Sequence, residues 1–493
     1  MTAAADEQAD RFTDGAILWP LLTLAGPLVA TQLLQVTYNF TDTFWVGQLG
    51  ADAVSALSFS WPLVLLVISV GSGITNAGTI LVSQNTGAGD DERVTHIAGQ
   101  TLAFVSLLAI GLSVLGVVIA PQLLALVGAT PGTKIHHLAV TYTRIVFLGL
   151  PFTFGFFIFQ SLLRGWGDVT TPMYLVTGSV VLNVVLDPFF LLGFEGNPLF
   201  AWFGLSSLQA WLFAVTGFAG FGVEGAAVAT VLSRGLAAAV GLWLLFSGRT
   251  GLHLTMSDLR LHLESIWKLL RIGIPASIDQ STQAVSVTVM TALAALAGVN
   301  AVAAYGIGNR FTTLVWFPTI AMGMAVETMV GQNLGNSRPD RARRTVYVAI
   351  ALFATIFIGV SAATVWFAQP IVNLFITGQE ADAVVRYGVD YLRIIAPTWA
   401  IMAAFHIMNG AFYGAGSTEL SMALGVGTLW GMRATIAIGL VVVVGFGATG
   451  VWYGIALSNV IAAIAGTVFF VRGRWSENIL ESDRTQLADA NQS

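Results

Sequence analysis

Residues 82–87 read VSQNTG and residues 330–335 read VGQNLG, one V-x-Q-N-x-G pattern written twice and 248 positions apart. The register holds outward from it. Pro27, Gln32, Gln35, Gly50 and Val54 fall 248 positions before Pro275, Gln280, Gln283, Gly298 and Val302. Further along, Tyr142, Arg144, Gly165 and Gly167 match Tyr391, Arg393, Gly414 and Gly416 at a spacing of 249, and Gly222, Gly225, Leu232 and Ser233 match Gly447, Gly450, Leu457 and Ser458 at 225. The drop from 249 to 225 locates an insertion of 24 residues in the first copy, within the aromatic, weakly charged stretch from Glu195 to Gly222. That stretch is expected to pack on the outer face as a loop dipping partly into the membrane. Isolated identities between apolar, Gly-rich segments mean little, but a fixed register through a whole motif marks an internal duplication.

What is duplicated follows from composition. The 493 residues are 56% hydrophobic and only 10% charged, with a mean hydropathy of +0.78. A soluble domain carries about a quarter charged residues, and 31 Phe with 14 Trp are foreign to disordered chains. Crossing roughly 30 Å of hydrocarbon takes about 20 apolar residues. Twelve such runs can be cut, near 16–44, 53–82, 95–120, 138–162, 172–194, 223–247, 268–297, 303–331, 345–368, 389–413, 419–445 and 449–471. The expected fold is an all-α polytopic membrane protein with 12 transmembrane helices. Six spans per copy is an even number, so both copies begin from the same side. That predicts two six-helix bundles related by a pseudo-two-fold axis along the membrane normal. The domains expected are a tail over 1–15, an N-lobe over 16–248, a polar linker over 249–271 that reads as amphipathic and interfacial, a C-lobe over 272–472 and a tail over 473–493. With the N-terminus inside, 14 of the 21 Lys and Arg fall on the cytoplasmic side, 5 outside and 2 (Arg234, Arg433) within spans. The positive-inside bias therefore places both termini in the cytoplasm of a cell whose plasma membrane the chain crosses.

Several function classes drop out. A net charge of −5 without a basic stripe argues against nucleic acid. Zero cysteines exclude disulfides and thiolate metal sites. The acidic first 14 residues lack the basic start and small-residue cleavage site of a secretory signal. The six histidines show no metal-ligand spacing. No His/Glu metal motif or G-x-S-x-G turn supports an intramembrane enzyme, and no cofactor is expected.

Twelve spans in two copies, the first-span stretch YNFTDTFWVGQLG (Tyr38 to Gly50) and the paired Q-N-x-G loops resemble the multidrug and toxic compound extrusion (MATE) transporters over roughly residues 15 to 475. The resemblance implies a V-shaped pair of lobes and export of amphipathic, often cationic small molecules in exchange for inward Na⁺ or H⁺. Flippases for lipid-linked saccharides share that architecture and are the alternative; they are expected to need cationic cavity residues, of which the spans offer few besides Arg234 and Arg433.

Carboxylates inside spans are costly and each needs a reason. Asp42 lies 23 residues after Trp19, roughly 35 Å along a helix at ~1.5 Å per residue, and Asp187 lies 15 residues into its span. Asn183 shares a helix face with Asp187 four residues on, and Pro188 disturbs backbone pairing beside the acid. Tyr142 and Thr230 fall at comparable depth. Carboxylate, amide and hydroxyl oxygens suit a hard cation, whereas paired carboxylates can share a proton. The competing assignment is that both acids cap helix ends at the interface. The repeat is a control, since the equivalents of Asp42, Asn183 and Asp187 are Met290, Met432 and Ile436. Matching positions in the resembled family hold an N-lobe cation site. The resemblance therefore gives a coupling role to Asp42, Asn183, Asp187 and Thr230, as ligands of Na⁺ if sodium is the coupling ion, with Tyr142 as a hydrogen-bonding neighbour. Gln35, Asn39, Gln280 and Gln283 are candidate substrate-cavity residues, and Pro27 a candidate bend. Some relatives also hold an acid in span 7. Here Asp279, only eight residues after Arg271, is expected to be solvated or Arg-paired near the cytoplasmic end, and Glu327 to be a surface or inner-gate acid. The chain is expected to work as a monomer.

Overall fold

The computed structural model describes residues 12–376 and 381–476, without the side chains of Gln283, Ala284, Ala381 and Arg474. Among these residues there are helices and no strand. The first half comprises α1 (Leu18–Gln48), α2 (Ala51–Gly87), α3 (Asp91–Val127), α4 (Lys134–Leu148), α5 (Leu150–Trp166), α6 (Thr170–Leu192), two short helices α7 (Pro198–Trp202) and α8 (Ser206–Thr216), and α9 (Val223–Ser247). The second half comprises α10 (Leu263–Leu296), α11 (Val299–Gly335), α12 (Pro339–Trp366), the short α13 (Ala368–Asn373), α14 (Ala381–Ile395), α15 (Trp399–Gly414), α16 (Thr418–Leu424), α17 (Arg433–Ile438) and α18 (Gly447–Arg472).

Among the described residues, ten helical stretches are long and apolar enough to cross a membrane, and an eleventh is counted if α4 and α5 form one bent span. The twelfth expected span is α10, 34 residues long but diluted by Asp279, Gln280, Gln283 and several Ser and Thr. The run predicted as one span over 138–162 is broken, because α4 and α5 meet at 48°. Pro151 in the first turn of α5 has no N–H to give the preceding turn. Gly149 at the joint lies where a Cβ would meet the Val231 side chain of α9. The span predicted over 419–445 carries two π-helical stretches, Gly425–Met432 and Gly439–Val443, on either side of α17. The stretch inserted in the first copy folds as α7 and α8 around a cluster of Phe189, Phe194, Phe200 and Phe218, with α8 burying none of its side chains.

The described residues pack as two compact units. One holds Ala30–Gly78 and Thr95–Lys268; its core includes Trp45, Val46, Leu191, Val223 and Ala226, with Tyr142 packed against them. In it the polar link after α9 is held by Gln100 of α3. The Gln100 amide donates to the carbonyls of Asp258 (2.9 Å) and Arg260 (2.6 Å) and accepts from the His262 N–H (2.7 Å). The other unit holds residues 12–29, Thr79–Val94 and the chain from Leu269 onward. Pro27 thus lies inside an unbroken α1, two residues before the helix passes from one unit to the other.

Within this second unit the duplicated motif meets itself. A Cβ on Gly87 would overlap the backbone of Gln332, and a Cβ on Gly335 would overlap the backbone of Gln84. Gly87 and Gly335 are repeat partners, as are Gln84 and Gln332, so the two contacts are one contact seen twice. Side-chain amides satisfy the backbone around the crossing. Gln84 donates to the Gly414 carbonyl at 3.0 Å, and Asn333 donates to the carbonyls of Met329 (2.7 Å) and Phe12 (3.2 Å). Other repeat partners also keep their geometry, with Gly50 and Gly298 turning the chain at φ of 99° and 104°.

Overpacking a tight helix crossing costs about 1–3 kcal/mol. Gly87→Ala and Gly335→Ala are each expected to lower the thermal midpoint of the detergent-solubilised protein. Gly306→Ala, on an exposed face of α11 with nothing within 4 Å of its Cβ, leaves the midpoint unchanged or raises it. Equal midpoints for all three variants would refute the crossing as a stability determinant.

A candidate cation site in the first half

Three helices of the first unit each contribute two residues one turn apart: Tyr38 and Asp42 from α1, Asn183 and Asp187 from α6, Thr230 and Arg234 from α9. The Tyr38 and Thr230 hydroxyls are hydrogen-bonded at 2.7 Å. The Asn183 amide donates to Asp187 Oδ1 at 3.2 Å, and both side chains are 0% exposed. Asp42 and Asp187 lie close enough to act on each other electrostatically, and both act on Tyr38 and Tyr142. The Arg234 guanidinium rests 5.1 Å over the Tyr38 ring and 6.0 Å from the rings of Phe156 and Phe157, a cation–π seat rather than an ion pair.

The cluster is short of donors. Among the described residues, Asp42 Oδ1, Asp187 Oδ2 and Asn183 Oδ1 are buried acceptors with no hydrogen-bond partner. Acceptors cannot satisfy one another, and each orphan buried away from water costs about 1–3 kcal/mol. A proton on one carboxyl, or a cation taking oxygen ligands, answers that deficit. The five residues expected at one depth, Asp42, Tyr142, Asn183, Asp187 and Thr230, are thus in one neighbourhood. Tyr142 enters it through packing and electrostatics; the hydrogen-bonding tyrosine is Tyr38. Sequence reasoning missed Tyr38 and Arg234 as members. Their signal was present, because each lies four residues from a residue that was singled out.

The second half differs. Met290, the equivalent of Asp42, is buried at 1% exposure and apolar. Asp279 is not solvated or paired with arginine. It is buried, and its Oδ2 accepts from the Tyr413 hydroxyl of α15 at 2.9 Å. The reason is that α10 begins at Leu263, so Asp279 sits 16 residues along it, roughly 24 Å. Glu327 is likewise buried rather than at the surface, because α11 is buried continuously from Ala325 to Leu334. Gln35 and Asn39 lie one turn apart on α1 in the first unit, half-buried and exposed, while Gln280 is half-buried on α10 in the second. The Gln283 side chain lies outside the described residues.

The chain is similar to known proteins along most of its length. A sequence model of the family described as MatE matches residues 27–189 and again residues 275–438. Its two starts are 248 positions apart and its two ends 249, which is the repeat register read from the sequence. The "Probable multidrug resistance protein YoeA" of Bacillus subtilis is 31% identical over 436 residues, covering 87% of this chain and 88% of that protein. The "Probable multidrug resistance protein NorM" of Thermotoga maritima is 25% identical over 476 residues, covering 94% and 95%. A solved structure of a MATE transporter in complex with MaL6 superposes with a TM-score of 0.83 at 25% identity, covering 95% of this chain and 98% of that one. The family's solved members carry twelve helices in two bundles, the fold class expected here. Matched once in each half of its duplication, this chain belongs to the MatE family of multidrug efflux transporters, which are membrane transporters and not enzymes.

Proposed function

We propose that the protein is a secondary antiporter that exports amphipathic, cationic small molecules from the cytoplasm in exchange for Na⁺ or H⁺. The observation that carries this reading is the donor deficit at Asp42, Asn183 and Asp187. With both carboxylates ionised and Arg234 charged, the six-residue cluster holds one net negative charge inside membrane-spanning helices. Such a charge is expensive unless neutralised, and one monovalent cation or one proton neutralises it. Asp42, Asn183, Asp187 and Thr230 supply the oxygens for Na⁺; alternatively, Asp42 and Asp187 share H⁺. Tyr38 and Tyr142 hold the carboxylates apart from water, and Arg234 keeps the cluster from demanding a second cation.

Transport follows from competition. Capture of the ion relieves the orphan acceptors and changes the packing of α1 against α6 and α9, with Pro27 as the bend. If the ion lowers affinity for the substrate, the substrate lowers affinity for the ion by the same factor. Gln35, Asn39, Gln280 and Gln283 are the polar residues assigned to the substrate path. The protein acts as a monomer in the plasma membrane with both termini in the cytoplasm. A flippase handling a pyrophosphate-linked lipid would want several clustered cations, whereas the two arginines in mid-span, Arg234 and Arg433, belong to different units.

The deciding experiment is efflux from proteoliposomes with independently imposed Na⁺ and pH gradients. We expect one of the two gradients to drive efflux, and Asp187→Asn and Asp42→Asn to abolish it in correctly inserted protein. Wild-type rates from either variant would refute the coupling role.

The second half supplies a sharper test. Asp279 has a donor in Tyr413, and an amide at that position still accepts this bond. Asp279→Asn is therefore expected to reduce gradient-driven efflux by less than about tenfold, which is about 1.4 kcal/mol. A loss as deep as that of Asp42→Asn would put a second coupling site in the second half and end the single-site mechanism.

A further inference from the structure

Arg433 opens α17 between the two π-helical stretches of the second half, a backbone irregularity that often accompanies functional sites. Its guanidinium is half-buried and held entirely by neutral oxygens. Nε donates to Ser458 Oγ at 2.8 Å, Nη2 to Asn459 Oδ1 at 2.7 Å, and Nη1 to Ser286 Oγ at 3.4 Å. Among the described residues no carboxylate pairs with it. The ionisable groups that interact with it are His406 and the hydroxyls of Tyr305 and Tyr391, whose rings form a buried aromatic wall with Trp452.

A full positive charge in a membrane-spanning helix is costly, and hydroxyls and amides solvate it without neutralising it. The three bonds also tie α10, α17 and α18 together, but neutral donors could do that. In the first copy the same helix position carries no charge. The equivalent of Arg433 in the first copy is Val184, and the equivalents of Ser286, Ser458 and Asn459 are Tyr38, Ser233 and Arg234. Each terminal nitrogen of a guanidinium carries two N–H groups. One on each is engaged, which leaves two N–H groups for a further acceptor such as a carboxylate or phosphate. The aromatic wall excludes water on one side, which strengthens attraction for an anion.

We infer that Arg433, with Ser286, Ser458 and Asn459, is a recognition point for an acidic group, carboxylate or phosphate, on the transported molecule. The substrates it selects are then zwitterionic amphiphiles, cationic molecules that also carry an acidic group. This rests on the transport reading in one respect only, that the ligand is the cargo; binding itself needs no gradient.

The test is fluorescence anisotropy of rhodamine B and of rhodamine B ethyl ester with purified full-length protein in detergent, with empty micelles subtracted. The two dyes share one cationic chromophore and differ in the free carboxylate. Wild-type protein is expected to bind the acid at least about tenfold more tightly than the ester. Benzoate or phenyl phosphate is expected to displace the acid, and which one competes better identifies the preferred anion. Arg433→Gln is expected to weaken the acid about tenfold and the ester less than about twofold, and Arg433→Lys to retain part of the preference. Equal binding of the two dyes by wild-type protein overturns the inference without recourse to any variant. Equal weakening of both dyes in Arg433→Gln, or displacement by neither anion, overturns it as well. Failure of the antiport reading would instead appear as wild-type efflux indifferent to both gradients, a result that these binding measurements do not touch.

Discussion

The contact of Gly87 with the Gln332 backbone, mirrored by that of Gly335 with the Gln84 backbone, is the constraint on which the second unit is built. Two helix backbones that touch leave no room for a Cβ, and once buried they exclude the water that would satisfy stray polar groups. The residues around the glycines answer the second requirement. Gln84 reaches across to the Gly414 carbonyl, while Asn85 and Asn333 each return an amide to the carbonyl one turn back, at 2.7 Å. A motif of glycine for approach and amides for satisfaction must occur in both copies, because each copy is the surface on which the other packs. That reciprocity explains why V-x-Q-N-x-G keeps its register while most of the surrounding sequence has drifted.

Away from that crossing, the duplication separates what packing requires from what chemistry requires. Met290 fills a buried position whose repeat partner is Asp42, and apolar residues stand where Asn183 and Asp187 stand. The acids are therefore additions to a helix arrangement that forms without them. They also arrive with their own support. Tyr38 precedes Asp42 by one turn, Asn183 precedes Asp187 by one turn, and Arg234 follows Thr230 by one turn, so each helix presents two polar residues on one face, with Asn183 donating to Asp187 within α6 and Tyr38 bonded to Thr230 of α9. In lipid, where an unpartnered polar group cannot fall back on water, such local pairing is the least costly way to hold a charge.

Most of this was legible in the sequence because apolar length and register are properties of the chain itself. The predicted run 223–247 coincides with α9, and 172–194 is within two residues of α6 at either end. What could not be read depended on contacts between helices. The break at Gly149 needs Pro151, but it also needs Val231 lying opposite the joint. Asp279 looked solvated because Arg271 lies near it in sequence. Its actual partner, Tyr413, is 134 residues away, and α10 starts earlier than hydropathy alone suggested. Glu327 reads as a surface acid by its distance along α11, yet the whole turn around it is covered. Tyr38 and Arg234 were readable in principle by one-turn spacing, but an aromatic ring or an arginine in a span has ordinary explanations until its neighbours are known.

The Asp42–Asp187 cluster of the first copy and the Arg433 cluster of the second carry opposite charge. In the first, Asp42 and Asp187 outweigh Arg234; in the second, Arg433 stands among serines, an asparagine and tyrosines, with apolar residues where the first copy has its acids. Aligned by the repeat, Arg234 falls on Asn459, the residue that accepts from Arg433. A guanidinium therefore lies near the same place in both copies but is carried by different helices, α9 in one and α17 in the other. In the first copy its charge is set against two carboxylates; in the second it faces neutral oxygens. A single set of helices thus tolerates an acid-rich cluster suited to an ion and a cationic one suited to an anion, because the backbone crossing at Gly87 and Gly335 uses glycine and amide side chains and leaves the charged positions free to diverge.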